Sequence, residues 1–385
     1  MRRGPHRRHH AVWQFPAAQG GPVSAPVTAA LPRRPLGRTG LDVTVLGFGA
    51  APLGNLFSHL DEATSVAAVV AAFDSGINLL DMAPHYGNGL AELRAGAALR
   101  QVLQHRSRDR IVVSTKVGRW FDPMPTRRAT APAHDDGNAE VASPGFVGAL
   151  PHRVMLDYSY DGTLRSIEQS LLRTGLDRLD IVLIHDVDVW THGPDAIEAR
   201  FSEAMNGAYR ALSRLRDEGV VRAIGVGLNE SEMCERFAHA GDFDTMLLAG
   251  RYSLLEQPAL ASFLPLAQQK NIAVMLGGVF NSGILATGAV AGARYNYQPA
   301  PAAVMARVAA IDAVCNTNGV RLVDAALQFA LGHPAVTTLV LGAVTPDEVR
   351  RNIASLAAPI PAQLWHDLRT AGLLPDAAPT PPALA

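Results

Sequence analysis

Residues 162–185 read GTLRSIEQSLLRTGLDRLDIVLIH and combine a helical pattern with an extended one. Apolar residues recur at helical spacing as far as Arg173, and Gly175 has the backbone freedom that ends a helix. Residues 180–185 are a bulky apolar run between Asp180 and His185, which is typical of a strand buried on both faces of a parallel sheet. The stretch therefore predicts a helix followed by a buried strand, the repeating unit of an α/β fold.

The same unit recurs along most of the 385 residues. We predict strands at 43–50, 77–82, 111–117, 180–185, 223–227, 245–249, 272–277 and 337–342. We predict helices at 61–75, 162–173, 202–216, 231–240, 259–269, 302–316, 323–331 and 346–356. At this length, eight such units favour a (β/α)8 TIM barrel over an open sheet. A β-hairpin at 35–46 is expected to cap the barrel bottom, and a long loop at 118–158 follows the third strand.

The two ends of the chain differ in composition from the middle. Residues 1–32 hold an Arg/His-rich start and an Ala/Gly/Pro/Val-rich segment. Arg2-Arg3 is reminiscent of a twin-arginine signal, but no continuous apolar region follows, so we expect a disordered arm or an over-extended start. We expect one barrel domain over 33–372 and a loose Pro/Ala-rich tail over 373–385.

Composition excludes several classes of protein. The formal net charge is −1, which gives no electrostatic argument for nucleic acid or an anionic membrane, and no apolar run is long enough for a membrane span. Two cysteines, Cys234 and Cys315, cannot make a disulfide framework, so a cytoplasmic location is expected. Only two of the 34 basic residues are lysines, Lys116 and Lys270, so a lysine at a functional position carries weight.

Four reactive side chains follow three neighbouring predicted strands: Asp81 and Tyr86, Lys116, and His185. In a TIM barrel the carboxyl ends of the strands form the site. A nearby ammonium lowers the pKa of a tyrosine hydroxyl, a carboxylate balances that ammonium, and a histidine positions a reacting oxygen. Taken singly, each residue is as well explained by a turn, cap or packing role, but together they predict a proton-transfer site.

Two other classes of function are open to the same residues. His185-Asp186-Val187-Asp188 offers donors to a metal-dependent hydrolase, but no His-x-His ends an early strand, so we expect no metal. A non-catalytic cofactor-binding subunit could use the same fold, although four intact reactive residues argue against it.

Residues 34–356 resemble an aldo-keto reductase in four segments: PLGRTG at 35–40, NLLDMAPHYG at 78–87, STKVG at 114–118 and DIVLIH at 180–185. The resemblance implies a barrel that binds NAD or NADP without a Rossmann domain, with Tyr86, Lys116, Asp81 and His185 as its catalytic residues. Further runs at 157–162, 183–186, 249–252 and 278–283 resemble the aldose 1-dehydrogenase branch, which acts on sugars such as L-fucose or L-galactose, and pyridoxal 4-dehydrogenase is similar to that branch.

The resemblance places the adenine end of the cofactor at Gly342, Ala343, Thr345, Glu348 and Asn352. NADP-preferring members have Lys-Ser and an arginine where this chain has Gly342-Ala343 and Glu348, which favours NAD because a carboxylate repels a 2′-phosphate. Glu348 also completes a capping box with Thr345, so it could simply cap its helix.

The cofactor phosphates are expected near Asn281, Ser282 and Gly283, where glycine permits close approach. Two family contacts to nicotinamide are replaced here: Gly227-Leu228 stands for Ser-Asn, leaving Asn229 as the nearest amide, and Gly277 stands for the stacking aromatic, leaving Phe280.

Substrate contacts are expected from Trp120, Phe121, Arg251 and Tyr252, with Asp157 and His85 as further candidates. The predicted reaction is oxidation of an aldose at C1 to the lactone with NAD. The alternatives are pyridoxal oxidation and general aldehyde or ketone reduction. The expected partner is a small sugar or carbonyl substrate.

Overall fold

Eight parallel strands close into a barrel in this computed structural model, which describes residues 30–122 and 145–381. The strands in chain order are β1 Arg33–Pro35, β2 Asp42–Thr44, β3 Leu46–Gly49, β4 Leu79–Asp81, β5 Val112–Val117, β6 Arg119–Asp122, β7 Arg153–Leu156, β8 Ile181–His185, β9 Ala223–Leu228, β10 Thr245–Ala249, β11 Ala273–Gly277, β12 Arg294–Tyr295, β13 Gln298–Pro299 and β14 Val336–Gly342. The barrel order is β3-β4-β5-β8-β9-β10-β11-β14, and β14 pairs with β3 to close it. The predicted fold is confirmed.

Helices connect the barrel strands and cover them from outside. They are α1 Glu62–Asp74, α2 Leu90–Val102, α3 Tyr160–Thr174, α4 Val189–His192, α5 Ile197–Asn206, α6 Ala208–Asp217, α7 Ser231–Ala240, α8 Phe263–Gln269, α9 Ile284–Thr287, α10 Ala302–Thr317, α11 Leu322–Leu331, α12 Pro346–Leu356 and α13 Ala362–Thr370. Within the described ranges, no helix is long and apolar enough to cross a membrane.

The hairpin predicted at the barrel bottom is present. β1 and β2 pair antiparallel, with Arg34 opposite Val43. Leu36, Leu41 and Val43 are buried with side chains that fill the barrel interior, such as Leu79. The hairpin therefore closes the amino-terminal end of the barrel, and the other end is left for a site.

The predicted helix at 202–216 is wrong in one respect, because the structure has two helices there. The helix is interrupted at Gly207, where a Cβ atom would lie 2.3 Å from the carbonyl oxygen of Tyr158. The amide of Ala208 donates to that same carbonyl at 2.8 Å. A contact with a distant part of the chain thus overrides the local helical pattern.

The long loop after the third barrel strand has structure at both of its ends. β6 and β7 pair antiparallel, with Arg119 opposite Leu156, and form a ribbon beside the barrel mouth. Residues 123–144 of this loop, like 1–29 of the expected arm, lie outside the described residues.

The carboxyl-terminal segment packs more closely than the expected loose tail. Leu374 and Ala378 are buried, and Arg369 donates to the carbonyl oxygen of Ala378 at 3.0 Å. Residues 373–381 therefore lie against the barrel, and 382–385 are outside the described residues.

Candidate active site

A buried ion pair joins the ends of two adjacent strands. The last residue of β4 is Asp81, and its Oδ2 accepts a hydrogen bond from Lys116 Nζ of β5 at 2.7 Å. Lys116 also donates to the carbonyl oxygen of Met82 at 2.8 Å, and Ser114 Oγ donates to Asp81 Oδ1 at 2.8 Å. Burial alone would lower the pKa of Lys116, but the charges and hydrogen bonds of Asp81 and Tyr86 raise it well above its usual range. Lys116 is therefore a fixed ammonium.

Tyr86 lies over this ion pair, with its ring centroid 4.9 Å from Lys116 Nζ. Its loop is fixed by a close backbone contact, since a Cβ on Gly87, whose φ is +64°, would lie 2.6 Å from the carbonyl oxygen of Gly54. Burial raises the pKa of the Tyr86 hydroxyl, and Lys116 offsets only part of that rise. Lys116 thus lowers the pKa of Tyr86 as expected, but desolvation outweighs this effect and leaves the pKa above its ordinary value.

His185 ends β8 and faces the tyrosine. The two ring centroids are 6.0 Å apart, and the rings are nearly perpendicular. Burial, followed by the positive charges of Lys116 and Arg119, holds the pKa of His185 well below its ordinary value. The imidazole is therefore neutral, which suits hydrogen bonding to a substrate oxygen.

Two residues of the site were not part of the proton-transfer site predicted from the sequence. Arg119 Nη1 is 2.8 Å from Asp186 Oδ2 and 3.5 Å from His185 Nδ1. Arginine after the third strand and aspartate after His185 were visible in the sequence, but nothing local indicated that they would pair. Asp186 has φ +55°, a left-handed conformation uncommon for a residue other than glycine.

Aromatic side chains surround the mouth of the site. The structure puts Phe146 beside His85 and Tyr86, at centroid distances of 5.7 and 6.0 Å. Tyr297 lies 5.8 Å from Trp190 and 6.4 Å from Phe57, measured between ring centroids. Of this group, only Tyr86 and His85 were predicted from the sequence as site residues.

The predicted substrate residues are spread over different parts of the fold. Tyr252 is a core residue that stacks on Phe329 of α11, with 5.3 Å between ring centroids, so it does not line the rim. Phe121 is buried beneath Arg173 of α3. Both expectations are corrected by packing against outer helices.

Trp120 and Asp157 lie together on the α3 side of the ribbon. Trp120 Nε1 donates to Asp157 Oδ2 at 3.0 Å, and the Arg165 guanidinium lies 4.4 Å from the Trp120 ring centroid. The structure therefore gives both residues partners within the protein itself.

A cavity opens beside the mouth, between the loops that follow β9, β10 and β11. Its lining residues include Trp190, Asn229, Gly250, Arg251, Asn281, Ser282 and Tyr297. Asn281 and Ser282 have φ of +46° and +60°, which turns their backbone sharply at the cavity wall. Two of the predicted phosphate residues, Asn281 and Ser282, thus lie with Asn229 and Arg251 at this cavity. Gly283 follows them directly before α9, with φ +98°.

Side-chain hydrogen bonds fix the wall of this cavity. Asn281 Nδ2 donates to Glu256 Oε1 at 2.8 Å, and Ser253 Oγ donates to Asn281 Oδ1 at 2.5 Å. Arg251 Nη1 is 3.2 Å from Glu256 Oε1. Phe280, in contrast, is half-buried and packs against the core, so its place is explained by packing.

The predicted adenine end lies at the start of α12. Thr345 Oγ1 accepts from the Glu348 amide at 3.2 Å, and Glu348 Oε2 accepts from the Val344 amide at 2.8 Å. Thr345 thus caps α12, and Glu348 bonds to the residue before that cap rather than to the Thr345 amide of a standard capping box, so Glu348 has the capping role that the sequence left open. Gly342 is exposed and Ala343 is buried beside this cap. Asn352 lines a cleft between α12 and the barrel strands.

Metal ligands do not gather in the part of the chain that the structure describes, where no group of three or more His, Cys, Asp or Glu is placed to hold an ion.

The chain is similar in sequence to one family of known proteins. Residues 45–372 match the model of the aldo/keto reductase family. The chain is 39% identical to pyridoxal 4-dehydrogenase of Microbacterium luteolum, covering 89% of this chain and 98% of that protein. It is also 39% identical to D-threo-aldose 1-dehydrogenase of a Pseudomonas species, covering 87% and 96%.

Among solved structures, the aldo-keto reductase AKR11C1 of Bacillus halodurans superposes with a TM-score of 0.66 at 23% identity, covering 88% of this chain and 96% of that one. This likeness shows a shared fold.

Proposed function

Because this chain belongs to the aldo/keto reductase family, we propose that it oxidises the C1 hemiacetal of an aldose such as L-fucose or L-galactose to the lactone, with NAD as the hydride acceptor. The observation that carries this proposal is the contact of Lys116 with both Asp81 and Tyr86, opposite a neutral His185.

Each residue of the site has one task in this proposal. His185 donates a hydrogen bond to the anomeric oxygen and orients it towards Tyr86. The Tyr86 phenolate accepts the hydroxyl proton as the C1–O double bond forms. Lys116 stabilises that phenolate, and Asp81 balances the charge of the buried ammonium. In the reverse direction Tyr86 is the acid that protonates the carbonyl oxygen.

The residues that line the cavity beside the mouth have the chemistry to hold the phosphates of a dinucleotide. Gly250 and Gly278 let two loops approach closely, since a Cβ on Gly278 would lie 3.2 Å from the Gly250 amide nitrogen. Asn281 and Ser282 supply polar groups suited to phosphates, and Arg251 supplies a cation that Glu256 partly balances. Asn229 lines the same cavity and supplies a side-chain amide for the nicotinamide. When bound, oxidised nicotinamide supplies the hydride acceptor for C1.

The preference for NAD rests on the charges near α12. Arg350 is paired with Asp347, and Arg351 lies 4.0 Å from Glu348 Oε1. Because both cations face carboxylates, an added 2′-phosphate would have to compete with acidic groups for them.

Pyridoxal is the second candidate substrate, and the aromatic mouth favours it. Phe146, Trp190 and Tyr297 provide flat apolar surfaces, and aromatic rings pack well on such surfaces. The 39% identical relative named pyridoxal 4-dehydrogenase supports the same candidate.

The test is reduced-nicotinamide absorbance with NAD or NADP against L-fucose, L-galactose, D-arabinose and pyridoxal. We expect a sugar to be turned over with NAD at a higher kcat/KM than with NADP. Turnover of pyridoxal alone would replace the substrate but keep the site. Absence of turnover with every pair would contradict the proposal.

The matched variant is Tyr86→Phe, which removes only the hydroxyl. We expect kcat to fall at least about a thousandfold because the proton acceptor is lost. NAD binding, followed by calorimetry, should stay unchanged. Retained turnover would exclude Tyr86 as the acid–base residue.

A further inference from the structure

A buried ion pair lies beside His185 and has no part in the function proposed above. Arg119 Nη1 and Asp186 Oδ2 are 2.8 Å apart, and the two residues are 7% and 8% exposed. Arg119 belongs to β6, whereas Asp186 follows β8, so the pair joins the ribbon to the barrel rim. Burying two charges costs free energy, so we expect a buried ion pair at this place to have a functional role.

The pair faces both nitrogens of the imidazole. His185 Nδ1 is 3.5 Å from Arg119 Nη1, and His185 Nε2 is 3.4 Å from Asp186 Oδ1. A cation disfavours a proton on Nδ1, and a carboxylate favours one on Nε2. Only one neutral tautomer suits both neighbours. Its Nε2–H group lies near the Asp186 carboxylate without forming a hydrogen bond to it, so this group remains a donor for another oxygen.

The backbone keeps this geometry in place. Asp186 holds the left-handed conformation, with φ +55°, directly after His185. The Tyr158 hydroxyl donates to the His185 carbonyl oxygen at 2.7 Å. A strained residue that is retained next to a reactive one is typical of functional sites.

We propose that Arg119 and Asp186 are positioning residues that keep His185 uncharged and in the tautomer that donates from Nε2 to the reacting oxygen. The identity of that oxygen rests on the function proposed above, but the state of the imidazole does not.

The charged and titratable groups around His185 come from several elements. They are Lys116 of β5, Arg119 of β6, His85 and Tyr86 after β4, Tyr158 before α3, Asp186, Asp188 and His192 after β8, and Tyr297 between β12 and β13.

Burial raises the pKa of Asp186 to about 6, and Arg119 opposes that rise. Arg119 therefore keeps Asp186 ionised and repels a second proton on His185.

The test is ¹⁵N-histidine NMR on the full chain, with the His185 signal assigned by its loss in His185→Gln. The wild type should show a protonated Nε2, an unprotonated Nδ1 and no imidazolium down to about pH 6.

In Arg119→Met, Asp186 loses its cation and can stabilise imidazolium instead. We expect the His185 titration to move up by at least about one pH unit. The ratio of variant to wild-type kcat should then fall as the pH drops through the raised His185 titration, a comparison in which the Tyr86 titration cancels.

Two further variants separate positioning from mere packing. Arg119→Lys keeps the cation and should restore most of the wild-type titration. Arg119→Met with Asp186→Asn removes both charges and should reverse most of the upward shift. An unmoved His185 titration in Arg119→Met, or a double variant that keeps the full shift, would overturn the inference.

The test also works if a variant or the activity fails. If Arg119→Met does not fold, the Asp186→Asn variant is measured in its place. The proportion of the Nε2–H tautomer of His185 should then fall, and an unchanged proportion would overturn the inference. A wild type that turns over none of the substrates would count against the proposed function alone, since NMR reports His185 directly.

Discussion

At the scale of single residues, the ammonium of Lys116 is both a reactive and a structural group. It is almost completely buried, and Asp81 is its carboxylate partner. Lys116→Met would leave Asp81 buried without a cation, and we expect the free energy of unfolding to fall by about 3–5 kcal/mol. Urea denaturation measures this loss. Adding Asp81→Asn should recover part of it, and a single variant as stable as the wild type would contradict a buried ion pair.

The raised pKa of Tyr86 has a direction-dependent consequence. Oxidation needs the phenolate, which becomes more abundant as pH rises towards a pKa above the ordinary value. We expect kcat for oxidation to rise up to about tenfold per unit between about pH 7 and 9, while carbonyl reduction, which uses the phenol, stays level. Initial rates in both directions across this range test the sign. If hydride transfer limits the rate, a kcat for oxidation that does not change with pH would contradict this role of the Tyr86 phenolate.

At the scale of elements, the first turn of α12 joins a helix cap to the proposed adenine site. Thr345 accepts a hydrogen bond from the Glu348 amide. Thr345→Ala should lower the free energy of unfolding by about 1 kcal/mol and raise KM for NAD more than it lowers kcat. Thr317→Ala is the control, because the exposed Thr317 hydroxyl only donates within α10. Equal effects of the two variants would argue against the cap.

The elements were predictable to different extents, and the differences have physical causes. α7, β10 and α12 occur at the predicted bounds, since periodicity and caps there are local. The break at Gly207 depends on the distant Tyr158 carbonyl. The β6–β7 ribbon pairs residues more than 30 positions apart, so no local pattern indicated it.

The site shows the same division. Asp81, Tyr86, Lys116 and His185 were predictable because strand ends meet at one rim in a barrel. The Arg119–Asp186 pair was not, because it needs the left-handed backbone at Asp186 and the ribbon geometry at Arg119. The Tyr86 pKa was misjudged because burial of its hydroxyl cannot be read from neighbouring residue types.

At the scale of the whole molecule, the carboxyl-terminal segment is part of the barrel's packing. Leu374 is 3% exposed, and Arg307 Nη2 donates to the Leu373 carbonyl oxygen at 2.8 Å. We expect Leu374→Ala to lower the free energy of unfolding by about 2–4 kcal/mol. Leu172→Ala is the control, because Leu172 is 83% exposed and should change stability by less than about 0.5 kcal/mol. Equal urea midpoints for the two variants would show that the segment adds nothing.

The scarcity of lysine has a practical consequence for coupling chemistry. Lys116 is buried and remains protonated, so it is a poor nucleophile towards amine-reactive reagents. Lys270 is exposed and lies just before β11, at the end of the barrel opposite to the site. Apart from the terminal amine, Lys270 is thus the side-chain amine at which a dye or a solid support would attach. A solid support coupled to Lys270 would hold the protein with its active-site mouth facing the solution.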